Sequence, residues 1–390
     1  MLINFYSKIL KLTLAVMTIG MLSCSKDSEK EPEPEVVKDE AESIYVTDYK
    51  RVAYMTYTGK LYSIDAKTGV KKWEFPISYA AKNAPEVSDG IVYVWGVDVV
   101  QAIDATTGIK KWERKTPNEF TGFDAVTVAD KTVFAADNSG LYAMDANTGA
   151  EKWAKYYGLI ISKMTVVEGT VYFGTLNGKF YAVDALTGKE KWAVSIPVGH
   201  DLKPAYVDGA LLIPSTNANK LYSLNAATGQ TKWIFEAGES FEYTPAINNG
   251  ILYLGVDHGS FEDYLYAIDL ASGKEKWKVP VNYTIESPIV SNGSVFSNTV
   301  WSLRAFDIAA GREKWVFESK SLKARFNAPV AVNDVVYTSC NEPDGSLFAL
   351  DGETGTTKWT FKSDSKEYMS SPTVITKAGK VFLPSTSGAK

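Results

Sequence analysis

From residue 44 onward the apolar positions come in short runs, and each run is closed by Gly, Asn, Asp or Thr. Residues 169–178 show the pattern: a turn, the β-branched and aromatic stretch Thr170-Val-Tyr-Phe173, and a second turn. Residues 180–183 make the next run, Asp184-Ala-Leu-Thr-Gly188 turns the chain, and a fourth run follows around Trp192. Four short strands per unit result, here called a, b, c and d. Nowhere after residue 24 do apolar residues recur at the three- and four-residue spacing of an amphipathic helix.

The unit occurs eight times. Its turn acid is Asp65, Asp104, Asp145, Asp184, Asp269, Asp307 and Asp351, with Asn225 in the fifth copy. Its tryptophan is Trp73, Trp112, Trp153, Trp192, Trp233, Trp277, Trp315 and Trp359. Asp65 to Asp351 covers seven intervals at a period of about 41 residues, the period of four-stranded propeller blades. The sequence therefore predicts an all-β fold: one eight-bladed β-propeller of four-stranded antiparallel blades over residues 44–390. In the c–d turn the acid, or Asn225, accepts hydrogen bonds from backbone amides two or three residues on, and a glycine closes the turn at positive φ. The tryptophan on the outer strand docks one blade onto the next, because a lone blade leaves its faces exposed. Repeated Asp and Trp are read as architecture, not as eight catalytic sites.

A ring must close, or sheet edges remain exposed. Residues 371–376 and 381–384 read as an a–b pair completing the first blade, whose c and d strands lie in 60–75. Residues 52–57 compete for one of those places.

The first forty residues are of another kind. Residues 1–23 fit a signal peptide, with Lys8 and Lys11 ahead of an apolar run shorter than the roughly 20 residues of a membrane-spanning helix. The run ends at Met21-Leu-Ser-Cys24, which resembles a bacterial lipobox and makes Cys24 the expected lipidation site. Residues 24–43 are charged and proline-containing and read as an extended tether. The expected location is the outer membrane, on its periplasmic face or at the cell surface.

Composition narrows the chemistry. A net charge of −5 offers no basic stripe for phosphates, so nucleic acid is not an expected partner. With two Cys and two His, a zinc cluster cannot be assembled, and lipidation of Cys24 leaves Cys340 without a disulfide partner. No nucleophile elbow flanks either histidine.

The copies AVDALTGKEKW, ending at Trp192, and AIDLASGKEKW, ending at Trp277, resemble the tryptophan-docking repeat of the PQQ-like quinoprotein propeller family. The resemblance spans about residues 44–390. It implies two kinds of relative: dehydrogenases that hold pyrroloquinoline quinone and calcium, and short lipid-anchored members without catalysis that serve outer-membrane protein assembly. This chain lacks the adjacent cysteines and the Cys-x-x-Cys-His haem motif of the former. The expectation is therefore no enzyme activity, no cofactor and no metal.

In a propeller the b–c and d–a loops share one face around the channel. Candidate ligand-binding residues there are Trp95, Tyr157, His200, Tyr243, His258, Trp301 and Arg325; aromatic faces stack on sugars or anchor peptides, and Arg325 pairs with acids. The alternative is that aromatics near strand ends pack between blades. Two enlarged b–c loops, 256–263 and 340–346, carry acids that either bind calcium or simply face solvent. The leading reading is a monomeric protein-interaction scaffold for outer-membrane or envelope proteins. A surface glycan or peptide binder is the alternative, and a quinone-dependent dehydrogenase the second.

Overall fold

The computed structural model describes residues 39–384 except 54–55, 79–83, 97–98, 116–124, 138–139, 200–201, 238–240, 242, 257–262, 282–286, 319–323, 342–344 and 365–367. The signal segment, Cys24, His200 and His258 lie outside the described residues. Eight antiparallel sheets form from residue 39 onward, one per repeat.

Blade 4 is typical: a is Thr165–Val167, b Thr170–Gly174, c Lys179–Asp184 and d Glu190–Ser195, paired in that order. Strand b is buried throughout and strand c nearly so, whereas d is largely exposed or half-buried. The a strands line the centre and meet their neighbours around the ring. In blades 2 to 7 the a–b hairpins turn through two residues of positive φ, as at Asp89-Gly90 (48° and 72°), which matches the right-handed twist of the strands.

Each c–d turn does what its sequence requires. Asp65 Oδ1 accepts from the Thr68 amide at 2.9 Å and the Thr68 hydroxyl at 2.7 Å. Asn225 Oδ1 takes the Ala227 and Thr228 amides at 3.0 Å. The tryptophan of each blade then leans on the turn glycine of the next. A methyl group on Gly108 would lie 2.8 Å from Trp73, and one on Gly69 2.7 Å from Trp359, which closes the circle. The Trp73 indole also donates to the Ala105 carbonyl at 3.1 Å, and Trp359 to Ala66 at 3.1 Å. Each indole buries on the order of 150–250 Å², several kcal/mol per junction before entropy is subtracted.

Closure differs from the expectation in which strands are used. Blade 1 takes b from Ala41–Ala53, c from Thr56–Asp65, d from Lys71–Ser78 and only a, Thr373–Thr376, from the far end of the chain. Residues 52–53 and 56–57 are not a competing strand but the end of b and the start of c. Val381–Phe382 pairs with strand a as a further, innermost strand instead of serving as b. The physical reason is the apolar, alternating stretch Ile44-Tyr-Val46, whose buried side chains complete the walls toward blades 8 and 2. Strand b begins at Ala41, inside the stretch read as tether. In blade 8 the inner strand is split into Arg325–Phe326 and Val330–Val332, with Pro329 between them unable to donate to the ladder.

Candidate functional site

The face bearing the b–c and d–a connections is here the upper face. Where strand a begins, small hydroxylated side chains tie several blades to their neighbours. Thr373 Oγ1 donates to the Pro85 carbonyl at 2.5 Å, Thr165 to the Pro204 carbonyl, and Thr244 to the Lys203 carbonyl at 3.0 Å. The Thr244 amide donates to Ser287 Oγ at 3.0 Å.

One ion pair spans this ring. Glu86 opens strand a of blade 2 (Glu86–Ser88), and Lys203 lies two residues before strand a of blade 5 (Ala205–Val207). Lys203 Nζ lies 3.9 Å from Glu86 Oε1, with side-chain exposures of only 12% and 8%. Lower down, the innermost strand brings apolar groups into the centre: Val381 and Leu383 are buried, and Phe382 and Leu383 line a cavity of about 230 Å³ with strands a of blades 7 and 8. Sequence reasoning missed Glu86 and Lys203. The available signal was a charge at repeat positions that other blades give to Thr165, Thr244 and Ser287.

The candidate residues do not converge on one place. Trp95 is corrected: it is 7% exposed and packs with Val100, Val126 and Val133 in the core between blades 2 and 3, with no acceptor for its N–H. Strand b is walled by neighbouring blades on both faces, so a ring at its end turns inward. Tyr157 is half-buried against Phe173 at 5.3 Å and Tyr181 at 5.2 Å, and its hydroxyl donates to the Gly188 carbonyl, a clasp between blades 3 and 4. Burial pushes its pKa up. Tyr243 is half-buried. Trp301, 38% exposed in the b–c turn of blade 7, and Arg325, exposed beside strand b of blade 8, do face solvent.

Buried acids on this face are engaged in holding turns. Asp48 accepts the Tyr62 hydroxyl and the Lys60 amide, both at 2.8 Å, and Asp137 the Gly140 amide at 2.9 Å. Cys340 is a buried thiol that donates to the Asn341 carbonyl at 3.2 Å, and burial pushes its pKa up to about 12. Among the described residues no group of three or more His, Cys, Asp and Glu could hold a metal ion. No helix among them is long and apolar enough to cross a membrane.

The family model described as outer membrane protein assembly factor BamB matches residues 28–155, 119–233 and 218–337. The chain belongs to that family. No curated protein sequence matches it. Its fold is similar to BamB from Moraxella catarrhalis, with 17% identity, TM-score 0.63, and coverage of 77% of this chain and 96% of that one. It is similar to the computationally designed Ika8 protein at 16% identity and TM-score 0.61, over 78% of this chain and 97% of that one. A europium-containing methanol dehydrogenase also shares the fold, at 14% identity and TM-score 0.59, over 75% of this chain and 82% of that one.

Among the described residues of the channel, the Glu86 carboxylate lies beside the Lys203 ammonium, and the innermost strand places valine, phenylalanine and leucine below them.

Proposed function

We propose that this BamB-family propeller is a non-enzymatic, lipid-anchored scaffold at the outer membrane, where it holds envelope proteins during outer-membrane protein assembly. Cys24 carries the lipid, residues 25–38 form the tether, and the upper face supplies the contacts. The observation that supports this reading most is the family match over residues 28–337.

Affinity purification of the full chain after in-cell crosslinking tests the reading. A β-barrel assembly component should be recovered, and Cys24→Ala should move the protein out of the outer-membrane fraction. Recovery of no envelope protein, or fractionation unchanged by Cys24→Ala, overturns it. A second reading, a glycan or peptide binder, has one supporting observation: Trp301 offers 38% of its surface on the upper face. Saturable glycan binding lost in Trp301→Ala would favour that reading.

A further inference from the structure

Seven of the eight blades place an aromatic ring on strand b beside the docking tryptophan; blade 5 does not. Tyr45, Tyr93, Tyr172, Tyr253 and Tyr337 donate to the Ala105, Ala146, Ala226, Ile308 and Ala66 carbonyls of the next blade at 3.0–3.4 Å. Phe134 and Phe296 put rings 6.1 and 5.7 Å from Trp153 and Trp315. The equivalent residue in blade 5 is Leu212, cross-strand from Ser223 as Tyr45 is from Ser63. A leucine is too short to reach the next blade's carbonyl, Leu270, which accepts the Trp233 indole at 2.9 Å and no other donor among the described residues. A groove of about 430 Å³ opens between blades 5 and 6, lined by Ala210, Ser223, Trp233 and Leu270. Ser223 is fully buried and its hydroxyl has no partner; Ser63 is also unpartnered but sits under the Tyr45 ring.

The same blade leaves a cation unanchored on the groove. In six other blades the lysine preceding the tryptophan finds a strand-b hydroxyl or the turn acid, as Lys191 donates to Thr170 Oγ1 at 2.7 Å and Lys358 to Asp351 at 2.9 Å; in blade 6 Ile251 stands at the hydroxyl position beside Lys276. Blade 5 has Ala210 for the hydroxyl and Asn225 for the acid, so Lys232, exposed on the groove, has neither partner. Lys276 adds a second ammonium to the lining; Asp208 and Asp269 line it too, with Asp269 Oδ1 taken by the Ser272 amide and hydroxyl.

We propose that this groove binds a partner polypeptide through a tyrosine with an acidic residue beside it. The phenol takes the place vacated at Leu212, packs tilted against Trp233 as the other blades' tyrosines do against their tryptophans, and uses the Leu270 carbonyl and Ser223 hydroxyl, while the carboxylate meets Lys232. An open groove suits a side chain arriving on a chain that stays outside. This lower-face site goes beyond the scaffold reading, and a titration with defined peptides succeeds or fails without reference to the crosslinking result.

The test is calorimetric titration of the purified full chain with blocked Ala-Glu-Tyr-Ala and Ala-Lys-Tyr-Ala. Saturable binding of the acidic peptide is expected, about tenfold weaker for the basic peptide and for Lys232→Gln, which matches loss of one charge-assisted contact. Leu212→Tyr should abolish binding by filling the slot from within. Lys232→Gln, on an exposed side chain, keeps the question open to measurement if Leu212→Tyr folds poorly. Equal binding of both peptides, binding retained in Leu212→Tyr, or binding of free 3-(4-hydroxyphenyl)propionate but of neither peptide overturns the proposal.

Discussion

Two glycines with the same backbone angle carry different burdens. Gly90 and Gly108 both sit at φ 72°, yet a methyl group on Gly90 meets nothing within 4 Å, whereas on Gly108 it meets Trp73 at 2.8 Å. Gly90→Ala therefore costs the left-handed conformation alone, about 1–2 kcal/mol. Gly108→Ala adds the displacement of an indole that docks blade 1 on blade 2, and should cost at least about 2 kcal/mol more, within the range of overpacking. Urea unfolding of the two variants measures the difference; equal losses would mean the indole is not held by that glycine. The reading of this residue from sequence went only half-way. Positive φ was legible from Asp-Ala-x-Thr-Gly, but the steric role depends on the neighbouring blade and has no trace in the local segment.

At the scale of the element, the c–d turn is an acid-sensitive part. Hydrogen bonds from the Thr68, Thr148, Thr187 and Ser272 side chains hold Asp65, Asp145, Asp184 and Asp269 below the ordinary carboxylate range, and the Thr107 amide does so for Asp104. The Lys358 ammonium, with the Thr354 amide, brings Asp351 down to about 2. A depressed folded pKa means the unfolded chain binds the proton first. The turn's contribution is complete above the unfolded value of 3.8 and fades as pH falls toward 2. Asp351→Asn should lower stability at neutral pH and flatten the decline below pH 3.8, as followed by denaturant midpoints. An unchanged acid slope would remove Asp351 from the account. Asn225 is nature's version of that change, and its turn keeps both amide bonds. These turns and the blade count were readable because each is a local repeat. Strand b of blade 1 was not, since Ala41–Ala53 begins in a charged stretch and acquires its place only by pairing with strand a from the opposite end of the chain. Trp95 misled for a related reason: being outside the docking register does not put a ring in solvent when neighbouring blades cover strand b.

For the whole molecule, the contact least legible in sequence joins blades that are not neighbours. Glu86 and Lys203 lie far apart in the chain and meet only because eight blades close into a ring narrow enough for a lysine to cross. Breaking a buried ion pair by removing one partner costs about 3–5 kcal/mol, whereas exchanging both for apolar residues of similar size is near neutral. Glu86→Leu and Lys203→Met should each destabilise strongly, and the double substitution should recover most of the loss. Little of either effect should respond to salt, because the pair is nearly shielded from solvent and ionic screening acts mainly on exposed charges. A double-mutant cycle by chemical unfolding reads the coupling directly. Additive losses would show that the two charges do not stabilise each other across the channel, and the centre of the ring would then be a place where a ligand could still compete for either of them.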